Sequence, residues 1–415
     1  MGIQRALINK TTLKLVCDNM KVSSEYVSRV TKFEAARIDR WKDPQDPSLP
    51  TIRQAKAIAK CLRVPFAGLY MSPTLVPTDK LPKIINKRTI QGAVTVVDDS
   101  ALNLAVHDLL RLRDQGAVTV VDDSALNLAV HDLLRLRDIV LDTRSELKDP
   151  VTQFVFLGDL SSVHKLALQL REYLGISYEM QKMAPSTRKF FLLVRSRVEN
   201  RGVMVAAFDG VPTNAARGMA LYFDELPIIG VNTNDRPPAK TFSILHELVH
   251  IVKRQSASCN EIGPLLTRDP EEVFCNAVAG EVLVPADLLR QEKEVRNSEI
   301  DGEAIRALAA RYSVSREVIA RRLLDLGQIQ RNDYETLIRN IQAEYEAEQR
   351  ESRSSSLTKY RPNVARAAFD RSGASVCRAL QHGVDREIYS QRDVSDFLGI
   401  KLKHIPSLFA EASRW

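Results

Sequence analysis

The stretch TFSILHELVHIV at 241–252 restricts this chain more than any other segment. On a helix, residues four apart share one face, so His246 and His250 stack along it with Glu247 beside them. Ile244, Leu245, Leu248, Val249, Ile251 and Val252 make that helix apolar nearly all round, which commits it to burial. Two imidazoles and a carboxylate buried without partners are costly. The plain reading is a core helix with incidental histidines. The chemical reading is that both imidazoles converge on one Zn²⁺, with Glu247 next to the open coordination position as general base, taking a proton from water and handing it to a leaving amine.

A third metal ligand is then needed. The spacing HExxHxxGxxH is absent, since positions 253 and 256 are Lys253 and Ser256, so a downstream carboxylate is expected. The segment DPEEVFCNAVAGEVLVP at 269–285 supplies one: Glu272, Asn276, Ala279 and Leu283 form a stripe on a helix, and the small residues Cys275 and Ala279 permit close docking on the first helix. Asn276, one turn after Glu272, is placed to hydrogen-bond the second nitrogen of a ligand histidine. Glu271 competes with Glu272 for the ligand role. A capping box, with Asp269 as N-cap, Pro270 at N1 and Glu272 at N3, is the purely structural alternative.

Charge is distributed unevenly over the 415 residues. Residues 1–90 carry 17 basic and 7 acidic side chains, whereas 241–330 carry 11 and 14, so the net +7 is an N-terminal property. A basic module joined to a mildly acidic remainder points to nucleic acid or an acidic partner, with a solvated charged surface as the bland alternative. Five cysteines without a CxxC pair fit a reducing compartment. No apolar run approaches the roughly 18 residues of a membrane span, the start MGIQRALINK lacks a signal-peptide core, and Ala6 breaks a myristoylation pattern. The chain therefore reads as cytoplasmic.

Four regions are expected. Residues 1–75 read as a bundle of short helices: 21–29 with a cap at Ser23 or Ser24, 35–42, and 51–62 after Pro50. Residues 76–149 read as a linker containing an identical 24-residue tandem repeat, QGAVTVVDDSALNLAVHDLLRLRD, at 91–114 and 115–138. In each copy Asp99 or Ser100 (Asp123 or Ser124) can cap a helix with Leu102, Val106, Leu109 and Leu110 as its apolar stripe. A shift of 24 residues turns that stripe by about 240°, so one continuous helix cannot bury both copies and a break near Gly116 is expected. Residues 150–330 read as α+β, with a helix at 164–174, an apolar stretch at 190–198, and strands at 202–208 and 226–232. Residues 331–415 read as helical after a polar joint at 350–358.

With both motifs in place, TFSILHELVHIV and EEVFCNAVAGEVLVP together resemble the ImmA/IrrE family of zinc metallopeptidases over about 150–330. That resemblance implies a gluzincin-like fold with a small sheet ahead of the active-site helix, zinc on His246, His250 and Glu272, and Glu247 as general base. Val278 stands where the family often has Phe, and Tyr222 is a candidate oxyanion stabiliser. Residues 21–72 resemble the XRE-type helix-turn-helix often fused to this peptidase, with Arg37, Arg40 and Lys42 facing DNA and Trp41 in the core. The turn Thr31-Lys32-Phe33 lacks the usual glycine. Residues 303–326 have a second helix-turn-helix shape, with Ser315 as cap, that in the family completes the peptidase domain.

The expected whole is thus α+β and mainly helical: an N-terminal helix-turn-helix bundle, a peptidase domain with a small sheet, and a C-terminal helical segment. The expected activity is zinc-dependent cleavage of a regulatory protein, a helix-turn-helix repressor by resemblance, which derepresses a phage, mobile-element or stress operon. The substrate would add as a strand near Ile228–Asn232. A DNA-binding regulator with a vestigial peptidase domain, and a protease toxin held by an antitoxin or phage-defence partner, are the alternatives.

Overall fold

The computed structural model describes residues 5–75, 85–90, 93–96, 124–149, 153–259, 270–297, 300–354 and 363–414. The chain divides into two compact units, one built from Met1–Ile84, Val96–Arg135 and Asp209–Val211, the other from Ile85–Thr95, Leu136–Phe208 and Pro212–Trp415. It is mainly helical with one mixed sheet, the α+β class expected.

The first unit opens with four short helices, α1 Lys10–Asn19, α2 Ser24–Thr31, α3 Ala35–Lys42 and α4 Ile52–Cys61. Their starts are set by side-chain caps: Ser23 accepts from the Tyr26 amide at 3.0 Å, and Thr51 with Gln54 closes a capping box. Leu13, Val27, Ile38, Trp41, Ile58 and Leu62 form the core, and Trp41 meets Phe33 edge-on at 6.0 Å. Between α2 and α3 the turn takes a left-handed residue without glycine, since Lys32 has φ 64°. The second copy of the repeat enters the helix Ser124–Leu147, in which Leu126, Val130 and Leu133 are buried. Ser124 Oγ accepts from the Ser23 amide at 2.9 Å, and Leu128 joins the α1–α4 core. The helix stripe of the first copy and the break near Gly116 lie outside the described residues.

The second unit holds a six-stranded sheet of β1 Ile85–Ile90, β2 Ala93–Val96, β3 Met204–Phe208, β4 Gly218–Leu221, β5 Ile228–Asn232 and β6 Ala257–Cys259, in the order β2-β1-β6-β4-β5-β3. β3 runs parallel to β5, with Met204 beside Ile228, and β4 runs antiparallel to both β5 and β6. Every residue of β3, β4 and β5 is buried, so these strands read as continuous apolar runs without alternation. The apolar stretch 190–198 belongs to a helix, Thr187–Glu199, started by the Ser186 cap on the Lys189 amide.

The helix Pro237–Val252 packs on β4 and β5 and is buried without interruption from Thr241 to Ile251. A second helix, Pro270–Leu283, lies against it, with Cys275, Val278 and Ala279 fully buried. The helices Gly302–Arg311 and Arg316–Asp325 pack on each other, and the latter, capped by Ser315, also packs against that second helix. The C-terminal helix Val364–Asp385 docks on β3 and breaks at Gly373 (φ 89°, ψ 167°), where its second half begins anew. Glu199 caps this fresh N-terminus, accepting from the Ser375 amide at 3.1 Å, while Arg195 donates to Asp370 O at 2.7 Å and to Val205 O at 2.5 Å. Among the described residues no helix is long and apolar enough to cross a membrane.

Candidate metal centre

Pro237 and Pro238 start the first site helix at a position where no amide hydrogen bond is lost, and the apolar run that follows buries it from Thr241 onward. The i, i+4 spacing then brings the rings of His246 and His250 to one face, their centroids 5.1 Å apart. The helix Pro270–Leu283 delivers Glu272 to the same point. Its Oε2 lies 3.1 Å from His246 Nε2 and its Oε1 3.2 Å from His250 Nε2, while the two Nε2 atoms are 3.3 Å apart. His246, His250 and Glu272 are each at most 3% exposed.

These three separations carry chemical information. Donors bound to one tetrahedral zinc ion at about 2.0–2.1 Å stand about 3.3 Å from each other. The two imidazole nitrogens and the two carboxylate oxygens are thus spaced about as neighbouring donors on one Zn²⁺ ion are, and two imidazoles with one carboxylate are a donor set this ion takes. Zinc, on this test, fits the residues present.

The electrostatics agree. Burial alone would raise the Glu272 carboxyl, but its hydrogen bonds to His246 and His250 and their charge hold it well below the usual carboxylate range. Burial opposes charge on His246, yet the Glu272 hydrogen bond, the Glu272 and Glu247 charges and the Asn276 amide together raise its pKa. The site thus favours positive charge at the point where the two rings and the carboxylate meet, which is the field a divalent cation needs. Asn276 sits beside His246, although His246 Nδ1 itself is buried with no hydrogen-bond partner among the described residues. His250 Nδ1 lies 3.5 Å from Gln255 Oε1 and 3.8 Å from Cys275 Sγ.

Glu271 and Glu272 are adjacent in sequence and turned about 100° apart by the helix, which sends them to different tasks. Glu271 pairs with Lys253 on the far side of His250. It groups with His250 and Cys275 as a second set of potential ligands, in which burial raises the pKa of the Cys275 thiol. Asp269, the capping alternative, lies outside the described residues.

Glu247 is 1% exposed and reaches β4, where its side chain lies against Gly218. The Tyr222 hydroxyl donates to Asp224 at 2.9 Å, and no contact joins it to His246, His250 or Glu272 among the described residues. The strand addition expected near Ile228–Asn232 is corrected: β5 is paired with β3 on one side and β4 on the other, so it offers no free edge.

In the first unit α3 exposes Arg37 and Arg40, buries Trp41, and turns Lys42 inward to Asp39 at 3.0 Å and to Ser24. Sequence reasoning missed two features of the peptidase-like unit. One is Gly218. The other is Glu281, buried at 5% exposure, which accepts from the Ala286 amide at 3.2 Å, meets His164 Nδ1 at 2.9 Å and pairs with Arg322.

Residues 199–324 match the family model described as the IrrE N-terminal-like domain, a peptidase family. That span contains β3 to β6, both site helices, the helix Gly302–Arg311 and all but the last residue of Arg316–Asp325. No curated protein and no solved structure matches the chain.

Proposed function

We propose that this chain, whose residues 199–324 belong to the IrrE N-terminal-like peptidase family, is a zinc-dependent endopeptidase that cleaves a regulatory protein. The observation that carries the reading is the convergence of His246 Nε2, His250 Nε2 and Glu272 at mutual distances of 3.1–3.3 Å with Glu247 beside them. His246, His250 and Glu272 would hold the ion, which would supply Lewis acidity to the scissile carbonyl and to water. Glu247 accepts the proton that water loses on attack and returns it to the amine nitrogen as the peptide bond breaks. Gln255, with Oε1 3.5 Å from His250 Nδ1, orients that ring from behind. Burial of the helix on β4 and β5 keeps these groups from rearranging.

A helix-turn-helix repressor is the substrate class the family resemblance implies, and the basic residues of 1–90 supply a means of bringing the enzyme to DNA or to a DNA-binding protein. Purified protein is expected to hold about one zinc ion per chain. Co-expression with the product of the neighbouring gene, followed by mass spectrometry of fragments, should give cleavage with the native chain and none with Glu247→Gln, which keeps its zinc and its fold. Undiminished cleavage by that variant would overturn the mechanism.

A further inference from the structure

Gly218 is the first residue of β4, paired on both sides, opposite Val231 of β5 and Cys259 of β6. A glycine within a strand loses entropy on folding and leaves a side-chain place unfilled, so it calls for a local reason. The backbone gives none, because Gly218 is not among the residues with positive φ. The reason lies in a side chain 29 positions further on. A Cβ at Gly218 would stand 2.3 Å from Glu247 Oε1, 2.9 Å from its Cγ and 3.0 Å from its Cδ, where ordinary contact begins at 3.4 Å. The carboxylate arm lies flat along bare backbone, and at 1% exposure Glu247 has no solvent to swing into.

We propose that Gly218 is a positioning residue for the general base: the missing side chain on β4 makes the slot that holds the Glu247 carboxylate beside His246 and His250. Its effect on rate rests on the peptidase reading, whereas the steric fit to Glu247 does not. A methyl group there drives Oε1 back by about 1 Å, from 2.3 Å to ordinary contact, and a misplacement of that size costs on the order of 10²-fold in rate. The metal ligands sit on the two helices and are not touched, so zinc content stays as it was.

Two measurements test this. The first uses zinc-loaded full-length protein with fluorescein-labelled casein as probe. Gly218→Ala should keep about one zinc per chain, lose about 10²-fold in kcat with KM little changed, and displace the acidic limb of the rate profile. Native kcat and native pH profile in a folded, zinc-loaded Gly218→Ala protein would overturn the proposal.

The second is a cycle of melting temperatures that needs no substrate. In the native background Gly218→Ala should lower the melting temperature. In the Glu247→Ala background the slot is empty, and the same change should be neutral or stabilising, since alanine narrows the unfolded ensemble. Equal losses in both backgrounds would mean that Gly218 serves the sheet alone and would sink the proposal. If zinc-loaded native protein leaves casein intact, the rate test speaks to the peptidase reading and the melting cycle decides the role of Gly218.

Discussion

Replacing Gly373 by alanine should separate the C-terminal helix from the sheet it docks on. Gly373 has φ 89° and ψ 167°, a region essentially closed to side-chain-bearing residues, and forcing one into it costs about 1–3 kcal/mol. The added Cβ would also lie 2.4 Å from Val205 O and from Arg195 Nη2, and 2.7 Å from Glu199 Oε1. A backbone carbonyl cannot rotate away as a side chain can, so β3 or the helix must shift by about 1 Å. Such a shift breaks the Arg195 bond to Val205 O or the Glu199 cap on Ser375, and an orphaned buried group costs about 1–3 kcal/mol. The combined loss is about 2–6 kcal/mol, a large share of the roughly 5–15 kcal/mol that holds a domain together. Urea unfolding followed by circular dichroism measures it directly. Gly302→Ala is the internal control, because nothing lies within 4 Å of its Cβ and its φ is not positive; it should be neutral or gain about 0.4–1 kcal/mol. A Gly373→Ala protein within 1 kcal/mol of native stability would refute the reasoning.

Three further outcomes are expected. Glu272→Gln removes the charge that joins the two histidines and should abolish the rise in melting temperature that zinc gives the native chain, as read by thermal scans with and without the metal; an unchanged zinc-dependent rise would remove Glu272 from the ligand set. Arg322→Ala takes from the buried Glu281 carboxylate its arginine partner, leaving His164 and the Ala286 amide, and should cost about 3 kcal/mol, while the double change Arg322→Met with Glu281→Met should cost less, since an apolar pair replaces a buried ion pair. Burial pushes the Cys17 thiol up to about 12 from 9.0, so the unfolded chain releases this proton first. The stabilisation is complete below pH 9 and falls as pH rises from 9 towards 12, and Cys17→Ala should flatten that part of the stability profile of the native chain.

What could be read in the sequence was local chemistry. His246 and His250 announce themselves because four residues are nearly one helical turn, and Glu272 because its stripe carries small residues able to dock. Helix starts at Ser23 or Ser24 and at Ser315 were legible for the same reason, since a cap acts within three residues, and the start near Thr51 was marked by Pro50. Contacts across the sheet were not. Nothing in GMAL foretells that Gly218 faces Glu247, and nothing in IIGVN tells that β4, which precedes it in the chain, closes one of its edges. Glu281 and Arg322 are 41 residues apart on different helices, and each alone reads as a solvated charge. The apolar run at 190–198 was ambiguous because a short apolar stretch suits a buried strand or a helix, and only the Ser186 cap decides between them.

The strand Ala257–Cys259 follows the histidine helix by only a few residues and lies antiparallel along β4, next to the backbone on which Glu247 rests. Any extended peptide that seeks this ladder is a replacement for a resident, and every main-chain bond it gains is one the resident gives up. Such an exchange yields almost no net affinity, because like bonds are traded for like. A flexible chain with nothing else to offer is therefore turned away, and admission is decided by side chains, by how well a visitor's own residues fit where the resident's were.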